Sequence, residues 1–329
     1  MKITILTEEE IRQVVGVDDE ALAAVTDAFN RLAQGKAVMP PIMRIDVPEN
    51  NGEVDVKSAY LQGLDSFAVK MSSGFFDNPK MGLPSLSGMM ILLSTETGFP
   101  QAVLLDNGYL TDVRTGMAGA LAARHLAPEQ IATVGVIGSG SQARYQIRSL
   151  QLVRDFERVL VYSINREDDE RYAKEMAPLL GADVVPADDA ETVVRESDVV
   201  VTTTPAKTPI VKAAWLHPGL HITAMGSDAE AKQELEAAVL GRADVVACDT
   251  KAQAFRLGEL HHGLDEGVIT EDDAITELGE LTLADRSGRR ALEQITVCDL
   301  TGTGAQDTAI ARLAYLKARA AGLGLEVEA

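Results

Sequence analysis

Thr133-Val134-Gly135-Val136-Ile137-Gly138-Ser139-Gly140-Ser141-Gln142-Ala143 is the stretch on which the fold turns. A β-branched apolar run passes without interruption into Gly-x-Gly-x-x-Ala. In such a turn Gly138 allows the sharp bend and Gly140 lets the backbone approach a pyrophosphate. Ala143 lets the next helix pack closely on the strand, and that helix aims its N-terminal amides at the phosphates. Gly138, Ser139, Gly140, Ser141, Gln142 and Ala143 are therefore the expected dinucleotide contacts. Alone, the motif is equally a turn shaped by glycines; its context decides.

That context is favourable on both sides. Apolar runs of three to seven residues recur at 132–137, 159–162, 183–185, 199–202, 221–225, 245–248 and 295–298, with helical segments between them. Continuous β-branched runs separated by helices read as a parallel sheet covered on both faces. Upstream the texture differs. Thr7 and Glu10 form a capping box, and Asp18 caps an amphipathic segment to about Gln34, so the chain is expected to open with helix. Short β-type runs follow at 43–47, 54–60, 67–72, 89–94 and 102–105, punctuated by Gly and Pro, as in a meandering antiparallel or mixed sheet. Residues 111–126 and 306–320 read as Ala-rich helices. The expected fold is α/β: a Rossmann doubly wound parallel sheet over 123–304, and a discontinuous α+β substrate and dimerisation domain of 1–122 with 305–329.

Composition narrows the function. The chain has 329 residues, 46% of them hydrophobic, enough for two cores. A net charge of −20 opposes nucleic acid, which needs a basic stripe, and 4% aromatics leave little for base stacking. Cys248 and Cys298, the only two cysteines, lie in apolar runs and read as buried free thiols, not a disulfide or metal site. No signal peptide or membrane-spanning run is found, so the expected location is cytoplasmic, with neither membrane nor nucleic acid as partner.

At the end of the second parallel strand an NAD-preferring site usually offers an acid to the ribose. Here the residues are Ser163-Ile164-Asn165-Arg166. The missing acid and Arg166 would tolerate a 2′-phosphate, while Asp168 and Asp169 stand close by. Ser163, Asn165 and Arg166 join the expected cofactor set, and the cofactor is NAD(H) or NADP(H), with a lean toward the latter.

Other residues carry chemistry. Arg44 and Arg114 offer guanidinium forks suited to a carboxylate, against the commoner fate of a salt bridge. Lys70 ends the apolar Phe67-Ala68-Val69 run, where an ammonium needs a partner or a depressed pKa. Glu53 and Lys57 lie on the neighbouring strand, with at least one of them expected on a solvated face. Asp228 follows Gly226 at the carboxyl edge of the parallel sheet, where such folds place ligands; its rival reading is an N-cap for a helix from Ala229. His261 and His262 lack metal-site spacing and read as exposed loop histidines, and no metal is expected. No G-x-S-x-G element points to hydrolysis.

Arg44, the Phe67–Lys70 strand, the Leu105-Asp-Asn-Gly-Tyr-Leu-Thr-Asp-Val-Arg114-Thr115 run, the glycine motif, and Gly226-Ser-Asp228 with Lys232 and Glu234 together resemble the ornithine cyclodeaminase and mu-crystallin family over nearly the whole chain. Within it the chain looks closest to the ectoine-utilisation cyclodeaminase-like branch, to which iminosuccinate reductase is related. The resemblance implies that Arg44, Lys70 and Arg114 hold a substrate carboxylate and that Asp228 serves as acid or base at the amine. It further implies that the Thr301-Gly302-Thr303-Gly304 turn approaches the nicotinamide and substrate; Thr115 and Gly304 thus join the cofactor set. The site is expected in the cleft between the lobes of a homodimeric enzyme acting on a small imino or amino acid. Three activities fit: an imine reductase, iminosuccinate to aspartate being the best single guess; a redox-neutral cyclodeaminase of a diamino acid; and a crystallin-like binder without turnover.

Overall fold

Residues 2–286 and 288–328 are described by the structure, a computed structural model, and they fall into two units: Met1–Arg114 with Thr303–Ala329, and Thr115–Gly302. The chain crosses between units within helix α3 (Tyr109–Leu126) and just before helix α11 (Gly304–Ala320). The sequence expectation drew these boundaries at 122/123 and 304/305.

The first unit opens not with helix but with a strand, β1 (Lys2–Thr7), which corrects the expectation. β1 pairs in parallel with β7 (Pro100–Leu105) and antiparallel with β16 (Leu325–Glu328). Both partners lie far along the chain, so no local pattern announces them. Thr7 then closes the predicted capping box on α1 (Glu8–Val14): Glu10 Oε2 accepts from the Thr7 amide at 2.9 Å. Asp18 caps α2 (Asp19–Ala33), accepting from the Ala21 amide at 2.9 Å.

The meander forms where the β-type runs predict it, with longer strands. It comprises β2 (Ala37–Val38), β3 (Met43–Val47), β4 (Gly52–Leu61), β5 (Ser66–Phe75) and β6 (Leu86–Ser94), and the sheet order is β16-β1-β7-β6-β5-β4-β2 with β3 also on β4. Strand alternation sorts the side chains. Leu6, Ala59, Leu61, Ala68, Met90, Leu92, Ala102 and Leu104 are buried on one face. α11 packs against β4 and β5, and α2 packs on α11. Small residues permit the close approach: a Cβ on Gly304 would sit 2.4 Å from the Ser58 carbonyl oxygen.

The second unit is the doubly wound sheet. Its strands are β8 (Thr133–Ile137), β9 (Arg158–Tyr162), β10 (Asp183–Pro186), β11 (Val199–Thr202), β12 (His221–Ala224), β13 (Val245–Cys248), β14 (Thr276–Glu277) and β15 (Thr296–Asp299). All pair in parallel, in the order β10-β9-β8-β11-β12-β15-β13-β14. The first five reproduce the Rossmann order 3-2-1-4-5, with the reversal between β8 and β11. Helices α4 (Ser141–Leu150), α5 (Arg166–Leu180) and α6 (Ala190–Glu196) connect the first strands, and α7 (Ala237–Arg242), α8 (Lys251–Leu257), α9 (Glu259–Asp265) and α10 (Leu278–Thr282) the later ones. Two cores form, one around Val134, Val136, Ile147, Val159 and Tyr172, the other around Val200, Leu220, Ile222, Leu240 and Val297. Cys248 and Cys298 are buried free thiols, as expected. Among the described residues no helix is long and apolar enough to cross a membrane.

Candidate active site

The glycine loop sits at the sheet's switch point. Gly138 has φ +103°, and a Cβ there would lie 2.6 Å from Thr203 Oγ1, so only glycine makes this turn without strain. Gly140 is different: its φ is −82°, and a Cβ would meet nothing within 4 Å. The space above it is what a pyrophosphate needs and a side chain would fill. Gly140 is also the N-cap of α4 and brings no side chain to cap it. Ser139 Oγ donates to Ser163 Oγ at 3.0 Å, joining the loop to the end of β9. Ala143 is fully buried. These residues fit a dinucleotide.

Beyond β9, Asn165 caps α5 by accepting from the Glu167 amide at 3.1 Å and donates to Asp168 at 3.0 Å. Asp169 is buried and accepts from the Ser163 amide at 3.0 Å, so it supports the loop. Arg166 donates to the Ala187 carbonyl at 2.8 Å and stands 3.7 Å from Asp188. The Thr115 carbonyl accepts from Gln146 Nε2 at 2.9 Å, which binds α3 to α4.

Asp228 lies in a loop beyond β12, and no helix starts at Ala229, so the N-cap alternative falls. The Lys232 ammonium donates to Asp228 Oδ1 at 2.6 Å. What shapes this loop is Glu234, fully buried, whose carboxylate accepts from Gly226 N at 2.7 Å, Thr202 Oγ1 at 2.6 Å and Thr204 N at 2.6 Å. It ties the loop after β11 to the loop after β12. The Glu234 amide in turn donates to Glu259 at 2.8 Å, and Asp299 accepts from the Leu260 amide at 3.0 Å. Burial pushes Glu234 and Glu259 above the usual carboxylate range and lifts Asp299 to about 8. Asp249 receives the Thr301 and Gly302 amides at 2.9 and 2.7 Å, fixing the turn that leads to Gly302.

In the first unit Lys70 and Arg114 meet on one carboxylate. Lys70 Nζ lies 3.1 and 3.0 Å from the two oxygens of Asp307, and Arg114 Nε lies 2.9 Å from Asp307 Oδ1. Arg114 also donates to Gln306 Oε1 at 2.8 Å. All four residues are at most 4% exposed. α11 is locked in place by Thr308, which donates to the Ala59 carbonyl at 2.7 Å and accepts from the Ala68 amide at 3.0 Å. Burial, with the charges of Arg114 and Lys57 against the attraction of Asp307, lowers Lys70 to about 7. Burial raises Asp307, but Arg114, Lys70 and Lys57 together outweigh it and hold the group ionised. A pair of cations that grips one carboxylate in a dry setting can grip another.

The expected residues are distributed unevenly. Lys70 and Arg114 converge. Arg44 lies on the same sheet face but is engaged by Asp46 at 2.9 Å and by Glu53, with Asp55 at 3.9 Å. Lys57 proves buried, and Glu53 is only partly exposed. Gly304 belongs to the first unit, where packing on Ser58 accounts for it. His261 and His262 lie on α9 and are partly buried, contrary to the loop expectation; His262 Nε2 stands 2.8 Å from the Lys232 carbonyl. Asp307 and Gln306 escaped the sequence reading, although Thr303 and Gln306 have capping-box spacing at the start of α11.

Known proteins resemble the chain over nearly its whole length. A putative dehydrogenase of Rhizobium meliloti is 50% identical over 99% of both chains. The structure of Thermococcus litoralis Δ1-pyrroline-2-carboxylate reductase in complex with NADH and L-proline superposes with a TM-score of 0.94 at 31% identity, covering 99% of this chain and all of that one. The iminosuccinate reductase of Paracoccus denitrificans in complex with NAD+ gives 0.91 at 29% identity, with full coverage of both. The family model described as "Ornithine cyclodeaminase/mu-crystallin family" matches residues 1–322, and the chain belongs to that family.

Proposed function

We propose that this chain reduces a small α-imino acid to the corresponding α-amino acid, with iminosuccinate to aspartate as the best assignment. The broader statement does not depend on that choice: the chain is an enzyme, an NAD(P)-dependent oxidoreductase acting on imino or amino acids. The observation that carries the proposal is the buried Lys70–Asp307–Arg114 cluster, a carboxylate-binding fork already formed.

Bound NAD(P)H supplies a hydride from the nicotinamide C4. The residues of the chain orient the substrate and manage its proton. Arg114 and Lys70 fix the α-carboxylate, with Arg44 as a further cation on the same sheet face. Asp228, ion-paired with Lys232, relays a proton to the substrate nitrogen. The C=N bond thus gains hydride at carbon and a proton at nitrogen, and an amine results. Glu234 keeps Asp228 in position through Gly226. Gly138–Ala143 would receive the pyrophosphate, and Ser163, Asn165 and Arg166 would hold the ribose; with no acid directly after β9, both NADH and NADPH would be accepted. In the assay, oxaloacetate with ammonia should oxidise NAD(P)H and yield aspartate. No loss of nicotinamide absorbance with any small imino acid would overturn the proposal.

The active form is a homodimer joined through the outer face of the first unit's sheet. Along that face run Ile3, Ile5, Ile45, Val54, Val56, Val69, Met71, Met89, Ile91 and Val103, by register the side opposite α11. Met43 and Ile45 are 54% and 50% exposed, a cost that a second copy of the same face removes.

A further inference from the structure

We infer that Arg144 is a positioning residue of the nucleotide site: it holds the carbonyl side of the glycine loop, so that the Gly140 and Ser141 amides face the pyrophosphate, and it does not itself bind the phosphates. The inference rests on the reading of 138–143 as the pyrophosphate loop and adds the side chain that sets the loop's polarity.

Arg144 lies near the start of α4, and its side chain runs back along the loop. Its Nη1 donates to the Ser139 carbonyl at 2.6 Å and to the Gly140 carbonyl at 3.0 Å. In a planar trans peptide the C=O and the following N–H point in opposite directions, and no described peptide is cis. Fixing these two carbonyls therefore turns the Gly140 and Ser141 amides to the other side. Gly140 is the N-cap, so its carbonyl stands where the helix's own hydrogen-bond ladder begins. The Ser139 carbonyl lies outside that ladder, and its peptide ends on Gly140, where no Cβ hinders rotation. Arg144 supplies the hold that helix geometry does not.

The guanidinium is in turn anchored from α5. Nε and Nη2 donate to Glu175 Oε2 at 3.0 and 2.7 Å, and Arg144 holds that carboxyl below the usual carboxylate range. The guanidinium also lies over the Tyr172 ring, 5.1 Å from its centroid, and the Tyr172 hydroxyl donates to the Ala143 carbonyl at 3.2 Å. One turn earlier on α5, Asp169 holds the Ser163 amide. Asp169, Tyr172 and Glu175 follow one another at helical spacing, so one side of α5 grips the loop and its neighbour. An arginine fork suits a phosphate as well as a carboxylate. Here each guanidinium nitrogen is already engaged by a protein acceptor, which leaves recognition of the phosphates to the amides and the N-terminal end of α4.

Calorimetric titration of the nucleotide-free protein with ADP-ribose tests this in the wild type, Arg144→Met, Arg144→Lys, Glu175→Ala and Gly140→Val. Arg144→Met should weaken binding about tenfold, the order of one charge-assisted hydrogen bond. Arg144→Lys should recover part of the loss, because an ammonium still reaches one carbonyl. Glu175→Ala gives the deciding sign. It loosens the guanidinium without touching the loop, so affinity should fall about threefold. A guanidinium that bound phosphate directly would instead bind more tightly once a neighbouring negative charge is gone. Unchanged affinity in Arg144→Met, or unchanged or raised affinity in Glu175→Ala, overturns the inference; if Arg144→Met does not fold, Glu175→Ala decides alone. Gly140→Val separates this inference from the reading beneath it. If Gly140→Val abolishes binding while Arg144→Met and Glu175→Ala bind as the wild type does, the pyrophosphate placement stands and the role of Arg144 falls. If Gly140→Val itself binds ADP-ribose as the wild type does, the placement falls and the inference with it.

Discussion

Lys70 Nζ stands 3.0 Å from Asp307 Oδ2, and neither residue is more than 1% exposed. The pair lies at the convergence of a strand and a helix separated by 237 residues of sequence. Asp307 therefore acts as a positioning residue: it holds two cations at the spacing a carboxylate requires and keeps Lys70 charged in a setting that favours the neutral amine.

Removing that carboxylate has a signed consequence. With Lys70 holding the substrate carboxylate as the ammonium, as proposed, kcat/KM should fall as pH rises through about 7, the value for the free enzyme. In Asp307→Asn the attraction that supports the ammonium is gone, Lys70 drops further, and the alkaline limb of the profile moves to lower pH. Stability should fall by about 3–5 kcal/mol, the cost of breaking a buried pair. Asp307→Glu should recover part of the limb. A pH profile unchanged in Asp307→Asn would remove Asp307 from this role.

Gly140→Val should abolish NAD(P)H binding while leaving Tm near that of the wild type, since a Cβ at Gly140 meets nothing within 4 Å. Gly138→Ala should instead lower Tm, because it forces φ +103° on a residue with a Cβ 2.6 Å from Thr203 Oγ1. Fluorescence titration with NADH alongside thermal melting distinguishes the two. Retained affinity in Gly140→Val would contradict the pyrophosphate placement.

Met89→Glu, at an outer-face position 37% exposed, should convert a dimer to a monomer that keeps its secondary structure. Sedimentation velocity at micromolar concentration reads this directly. A wild-type monomer, or a variant that stays dimeric, would assign the face another role.

Asp299 takes up a proton on folding, since burial lifts it to about 8 from the usual carboxylate range. Its contribution to stability is full below the unfolded pKa and is lost as pH rises through about 8. Tm should accordingly decline from about pH 5 to about pH 9, and Asp299→Asn should flatten the decline. A variant with the same slope as the wild type would place the titration elsewhere.

Much of this was legible in the sequence wherever the signal is local. The β-branched runs and the glycine loop declare the parallel sheet, and Thr7 and Asp18 cap the helices assigned to them. Lys70 and Arg114 stand out as charges in apolar segments. Local pattern fails where partners are remote. β1 is a strand because of residues near 100 and 325, and Asp307 matters because Lys70 and Arg114 arrive from elsewhere in the chain. Lys57 needed the register: only the pairing with Lys70 shows that its face is the buried one.

The most direct test supplies the purified protein with NADH or NADPH, oxaloacetate and ammonia, and follows nicotinamide absorbance together with aspartate. The account predicts one equivalent of reduced cofactor lost for each aspartate formed. Ammonia released from ornithine or 2,4-diaminobutyrate with only catalytic cofactor, while the imine of oxaloacetate leaves NADH and NADPH untouched, would contradict it.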